Sequence, residues 1–251
     1  MPAVASSLPV AIIPARYGST RLPGKVLADI GGRPMVEHVY RRAAAAAGIG
    51  RVLVATDDER VADAVAAFGG DVRMTRSDHH SGLDRLAEVA RALPSDVIVN
   101  VQGDEPLVDP LLIEAVVEAL AAPSVDIATA RCPITTPVEH RDPNAVKVVA
   151  DRSGDALYFS REPIPHRRED AGGADPLGFR HVGLYAYRRS CLLELARVEP
   201  TPLERSERLE QLRALESGFR IRTVETASAP AGVDTPADLR RVRQLFASRA
   251  S

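Results

Sequence analysis

Apolar residues recur along this chain in two rhythms, one short and continuous, the other helical. Short aliphatic runs bounded by turn residues read as buried strands at 10–14, 51–56, 71–74 and 96–101. Between them lie helical patterns. One starts at Pro34, carries Met35, Val36, Val39 and Tyr40, and ends at Gly48. The next is capped by Asp57 or Asp58, buries Val61, Ala64, Val65 and Phe68, and stops at Gly69-Gly70. A third spans 84–93 behind a Ser81/Asp84 capping box, and a fourth covers 111–121 behind Asp109-Pro110. Strand and helix alternating at this spacing predict an α/β fold, a mostly parallel sheet with helices on both faces.

The order loosens after residue 125. Strands are expected at 125–131, 143–149, just before Arg161, at 180–187 and at 220–225. Residues 166–178 are polar and Gly-containing and read as a mobile loop. An amphipathic helix is expected over 202–215, with Leu209, Leu212 and Leu215 as its buried stripe. A last helix starts at Thr235-Pro236 with Asp238 closing a capping box, leaving Asp234 just outside it.

Composition narrows the class. The 251 residues are 45% hydrophobic, enough to bury a large core. A net charge of -2, with 32 basic against 34 acidic residues, argues against bulk electrostatic attachment to nucleic acid. No apolar run is long enough to cross a membrane, and residues 1–8 read as a loose tail rather than a signal peptide. Cys132 and Cys191, without a neighbouring ligand cluster, suit a reducing, cytoplasmic setting. His79 and His80 are adjacent, so they point apart on any regular element, and no third metal ligand lies near them.

Candidate chemistry begins where the first strand ends. Ala15-Arg16-Tyr17-Gly18-Ser19-Thr20-Arg21-Leu22-Pro23-Gly24-Lys25 carries three cations, two glycines and two small hydroxyls. Such a loop, at the C-terminal end of a strand, reads as a polyphosphate cradle, with a solvated basic loop as the rival reading. It is not a Walker A loop, because Ser19 and Val26 stand where that motif needs Gly and Ser/Thr. The 96–101 strand delivers Gln102-Gly103-Asp104-Glu105-Pro106, whose hard carboxylate oxygens suit a divalent cation held against phosphates; a charged surface turn is the rival. Arg161 follows an aromatic strand and precedes two prolines, presenting one cation on a rigid loop. His181, Gly183, Tyr185 and Tyr187 share one strand face, and a His in a strand is more often structural than catalytic. Lys147 is either a snorkelling edge residue or a group facing the site. Glu207, Glu210 and Gln211 ordinarily form a solvated helix face.

These segments, in order, resemble one family. P-A-R-Y-G-S-T-R-L-P-G-K, T-R-S-D-H-H-S-G, V-Q-G-D-E-P, P-N-A-V-K-V-V, R-H-V-G-L-Y, P-L-E-R-S-E-R-L-E-Q-L-R and G-V-D-T-P-A-D-L are similar to the motifs of the CMP-KDO synthetases (3-deoxy-manno-octulosonate cytidylyltransferases). The resemblance implies a three-layer, GT-A-like nucleotide-diphospho-sugar transferase fold. It implies a single domain over 9–251, with 10–125 as nucleotide core and about 130–220 as a sugar-acid-binding and dimerisation region. The implied reaction transfers CMP from CTP to the anomeric hydroxyl of a 3-deoxy-2-ulosonic acid, with Mg²⁺ as cofactor and a homodimer as the working form. The roles it implies place Ala15, Arg16, Gly18, Ser19, Arg21, Lys25, Arg76, Ser77, Ser81, Gly82 and Asp104 at the nucleotide. Gln102, Arg161, His181, Tyr185, Glu210 and Gln211 contact the sugar acid, and Asp104 and Asp234 hold the metal. Arg16, Lys25, Asp104 and Asp234 are the catalytic set. Leu83 departs from the pattern, which has Thr there, so a base or ribose contact is expected to be lost or shifted. A different ulosonic acid, a GT-A glycosyltransferase and a non-catalytic sugar-nucleotide sensor are the alternatives.

Overall fold

The computed structural model describes residues 8–18, 21–79, 81–166 and 176–250. The chain divides into two compact units, one from 1–114 with 230–251, the other from 115–229. In unit 1, β1 (Val10–Pro14) is followed by a hairpin of β2 (Asp29–Ile30) and β3 (Arg33–Pro34), then α1 (Met35–Ala45). There follow β4 (Arg51–Thr56), α2 (Glu59–Ala67), β5 (Val72–Met74), α3 (Gly82–Arg91), β6 (Val97–Asn100) and α4 (Pro110–Glu118).

The caps expected from sequence are present. Asp58 accepts from the Arg60 amide at 3.0 Å. Ser81 and Asp84 exchange both bonds of a capping box, at 3.1 and 3.2 Å. The helix expected from Pro34 begins at Met35, and Pro34 instead closes the hairpin at 29–34.

Strands β6, β1, β4 and β5 lie side by side, all parallel. Parallel strands end on one edge, so the loops after β1, β4, β5 and β6 gather there. The chain leaves β1 toward β4 on one side, while β6 sits on the other. That reversal of strand order between β1 and β6 is the crevice where open α/β sheets take ligands.

Unit 2 holds β7 (Ile127–Ile134), α5 (Pro137–Arg141), β8 (Lys147–Ala150), β9 (Ala156–Ser160), β10 (Gly178–Arg188) and α6 (Arg189–Leu195). It continues with α7 (Pro202–Glu207), α8 (Gln211–Glu216) and β11 (Ile221–Glu225). β11 pairs parallel with β7, and β7, β10, β8 and β9 pair antiparallel in turn. The ladder between β10 and β7 slips between Val182 and Tyr185.

The single helix expected over 202–215 is two helices. Arg208, with φ 53, stands in the left-handed region and stops α7. Buried Arg213 then pairs in two-pronged fashion with buried Glu204, at 2.7 and 2.6 Å, folding α8 back on α7. Periodicity alone could not see this break, because Leu209 within the turn and Leu212 in α8 are both buried and keep the helical spacing. Two short helices, α5 and α6, were not expected from the pattern. Most of the loop expected at 166–178 lies outside the described residues, and its end, Gly178, begins β10.

The chain returns to unit 1 and closes with α9 (Pro236–Ala250). Val233, Leu239 and Val242 pack with Ile30 and Met35 in one apolar cluster, with Leu22 and Phe246 at its margin. Burying those side chains is what brings the end of the chain to the first loop.

Candidate active site

In unit 1, the first loop turns at Gly24, whose φ of +67 is open to glycine and strained for other residues. A Cβ there would stand 3.0 Å from the Tyr17 ring. The turn starts a short 3₁₀ segment at Lys25–Leu27, and it fixes where Lys25 emerges.

The Lys25 ammonium reaches Asp104 Oδ2 at 2.5 Å, Asp234 Oδ1 at 2.9 Å and the Val233 carbonyl at 3.2 Å. Arg21 adds a 3.1 Å ion pair to Asp234 Oδ1. Two backbone features hold the aspartates. The Val233 amide donates to the Asp104 carbonyl at 2.9 Å. A Cβ on Gly103 would sit 2.8 Å from the Pro14 carbonyl, so only glycine lets the turn after β6 approach the end of β1 this closely.

Lys25 is 14% exposed at its side chain, against 30% for Asp104 and 50% for Asp234. Burial alone pulls the ammonium's pKa down, but the charge and hydrogen bonds of Asp104, with those of Asp234, outweigh it and raise the value.

The loop after β5 forms a second wall. Arg16 donates to the carbonyls of His79 and Ser81, each at 3.0 Å, so its guanidinium joins the first loop to this one. Arg76 pairs with Asp78 and is exposed, as is Ser77. Gly82 opens α3, and Ala15 is buried with its amide on the Ala55 carbonyl at 2.9 Å. Gly18 has open space where a Cβ would stand, and Ser19 and His80 lie outside the described residues. Leu83, at the departing position, is buried in the first turn of α3.

Two residues that the sequence did not single out hold this wall from behind. Arg85 is fully buried; it donates to the Thr75 hydroxyl and lies 3.0 Å from the Asp57 carboxylate. Glu88 accepts from the Arg76 amide at 3.2 Å and bonds the His79 ring. Their signal was present: both fall within the run from Leu83 to Ala90, where charge interrupts an apolar helix face.

In unit 2, rings of Phe159, His181, Tyr185 and Tyr187 follow one another with centroids 5.1, 5.3 and 5.6 Å apart. Thr129, fully buried, stands 2.9 Å from His181 Nε2 and donates to the Leu184 carbonyl at 2.8 Å. The Val182 carbonyl lies 3.2 Å from the same hydroxyl, and with the one hydroxyl proton on either carbonyl the His181 Nε2–H is the donor of the 2.9 Å contact, which leaves Nδ1 as an acceptor. Burial, with a small push from Arg180, lowers the His181 pKa to about 3, so the ring is neutral. Burial also raises Tyr185 and Tyr187, and the charge of Glu210 acts on both in the same direction. Glu210 and Gln211 stand at the N-terminal end of α8, presented by the break at Arg208.

Arg161 is occupied by backbone. It donates to the carbonyls of Glu207 at 2.8 Å and Pro143 at 2.9 Å, while its amide donates to the Glu207 carboxylate at 2.9 Å. Lys147 is fully buried and donates to the carbonyls of Asp142 and Arg161, so it is not a snorkelling edge residue. Gln102 is half-buried in unit 1, at the end of β6.

Among the described residues no cluster of three or more His, Cys, Asp or Glu is placed to hold a metal. Asp104 and Asp234 nonetheless converge on one cation, the Lys25 ammonium, from segments 79 and 209 positions along the chain from it. Two hard carboxylates beside a cationic loop fit an oxygen-seeking divalent ion whose other ligands come from phosphates.

A family model described as cytidylyltransferase matches residues 10–221. A protein of Syntrophotalea carbinolica named 3-deoxy-manno-octulosonate cytidylyltransferase is 56% identical over 239 residues, covering 92% of this chain and 96% of its own. One of the same name from Solibacter usitatus is 56% identical over 236 residues, covering 94% of this chain and 93% of its own. A solved CMP:2-keto-3-deoxy-manno-octonic acid synthetase complexed with CTP superposes with a TM-score of 0.92. It is 48% identical and covers 97% of this chain and 100% of its own. A 4-diphosphocytidyl-2C-methyl-D-erythritol synthase from Anaerococcus prevotii, 13% identical with a TM-score of 0.64, shares the fold alone. On sequence, fold and the order of its motifs, the chain belongs to the 3-deoxy-manno-octulosonate cytidylyltransferase family.

Proposed function

We propose that the chain carries out its family's reaction at the loops that end β1, β5 and β6: it transfers CMP from CTP to the anomeric hydroxyl of KDO, releasing pyrophosphate. One observation carries the assignment of the site. Lys25, Asp104 and Asp234, from three remote segments, meet at a single point on the C-terminal edge of a parallel sheet.

The sugar hydroxyl attacks the α-phosphorus in line as the bond to pyrophosphate breaks. Negative charge then gathers on the non-bridging and leaving oxygens, so cations and positioning contribute most. Lys25 and Arg21 supply that charge to the triphosphate. Arg16 does so while tying the first loop to the 75–81 wall, where Arg76, Ser77, Ser81 and Gly82 meet the nucleoside.

Asp104 and Asp234 are the carboxylates that would hold Mg²⁺; when bound, it neutralises phosphate charge and acidifies the attacking hydroxyl. Gln102 is assigned to the sugar acid from the end of β6. In unit 2, neutral His181 offers one acceptor, Tyr185 a hydroxyl, and Glu210 and Gln211 contact the polyol. Among the described residues the Arg161 guanidinium donates to backbone carbonyls, which leaves its charge available to the substrate carboxylate.

The test is released pyrophosphate from CTP, UTP and ATP, each paired with KDO, an amino-substituted KDO and sialic acid. Turnover is expected with CTP and KDO. Faster turnover with another nucleotide or acid, at equal concentration, would replace this substrate assignment.

A further inference from the structure

The buried face of α3 carries a charge that the reaction does not consume. Arg85 is 0% exposed, between core residues Leu83, Leu86 and Ala87, where an aliphatic side chain would fill the space without desolvating a cation. What the guanidinium holds accounts for its presence. It donates to the Thr75 hydroxyl at the exit of β5, and Thr75 donates in turn to the Thr56 carbonyl at 3.0 Å, at the exit of β4. It also stands 3.0 Å from the Asp57 carboxylate, the next residue along. One side chain thus joins the ends of two strands to the first turn of a helix.

The loop that these ends frame is gripped from the other side as well. Arg16 donates to the carbonyls of His79 and Ser81, and Glu88, one turn beyond Arg85, accepts from the Arg76 amide. We propose that Arg85 is a positioning residue for nucleotide binding: joined to Thr75 and Asp57, it holds Thr75–His79 and Ser81 in the arrangement that receives CTP. The inference rests on the reading above that this loop meets the nucleotide. Arg85 is too deeply buried to touch the reacting atoms, so its loss weakens ground-state binding of CTP and spares the chemical step.

Two variants test it: Arg85→Lys, and the double variant Arg85→Met with Asp57→Asn, which does not leave the half-buried Asp57 carboxylate without its partner. Steady-state kinetics with CTP and KDO varied separately are combined with amide hydrogen exchange across the full chain. The KM for CTP is expected to rise about tenfold, with kcat and the KM for KDO within about twofold. Amides of the 75–81 loop are expected to exchange faster while those of β1 do not change.

Wild-type exchange with and without CTP separates the two ways of failing. If CTP does not protect the loop, the reading of the loop as a nucleotide wall is wrong. If CTP protects it, but both variants keep the wild-type KM for CTP, the role given to Arg85 is overturned. A parallel fall in kcat and in both affinities, with faster exchange throughout, would also overturn it, because that is what loss of general stability produces.

Discussion

Asp104 and Asp234 share one partner, yet they differ in surroundings. Asp104 sits on a glycine turn locked to β1, and Asp234 is held from behind by the backbone bond of Val233. Replacing either with Asn keeps shape and removes one negative charge. In Asp104→Asn and in Asp234→Asn, turnover at saturating CTP and KDO is expected to fall by at least about a hundredfold, with the fold intact by circular dichroism. Wild-type rates in either variant would remove that aspartate from the catalytic set. His181 makes a separate prediction about pH. Burial depresses its pKa to about 3, so folding favours the neutral ring. The sign follows: the contribution is fully present above the unfolded value near 6.5 and is lost as pH falls from there toward 3. Urea midpoints are therefore expected to drop on acidification from pH 7 to 4, and His181→Gln to flatten that slope by up to about one proton. An equal slope in the variant would show that other groups carry the acid sensitivity.

At the scale of the element, the break between α7 and α8 is the informative feature. Arg208, in left-handed geometry, is the only described non-glycine residue with positive φ. Arg208→Gly is expected to raise stability by roughly 0.5–1 kcal/mol by relieving that conformation, read as a higher midpoint in chemical denaturation. A lower midpoint would mean that the Arg208 side chain contributes more than its backbone costs. The same break shows why helices with sound local patterns are still mispredicted. Residues 202–215 have helical spacing throughout, and the strand, helix and cap signals of 51–91 were read from the same kind of pattern. In the second case local preference and packing agree. In the first, the Glu204–Arg213 pair lies between residues distant by nine positions, and its geometry requires the helix to turn back. Arg85 makes the same point within a correctly expected helix: its position was legible, its burial was not.

For the whole molecule, we propose a homodimer formed through unit 2, where Val138 on α5 and Leu157 on β9 are exposed apolar side chains. Sedimentation equilibrium is expected to give twice the chain mass of 26.9 kDa at micromolar concentration, and Leu157→Glu to shift the species toward the monomer. A monomer in the wild type would discard the proposal. The strands and helices of unit 1, its helix caps, the cationic first loop and the acidic turn after β6 were determined by the sequence alone. Each depends on neighbours a few residues away, through side-chain periodicity, glycine conformation and charge. Only the tertiary structure decided that Lys25 meets Asp234 across 209 positions, that Arg16 spans two loops, that Lys147 is buried on carbonyls and that α8 turns back on α7. These arrangements follow from which apolar faces bury one another and which charges must then be paired, and that balance is set by the packed molecule rather than by any stretch of chain.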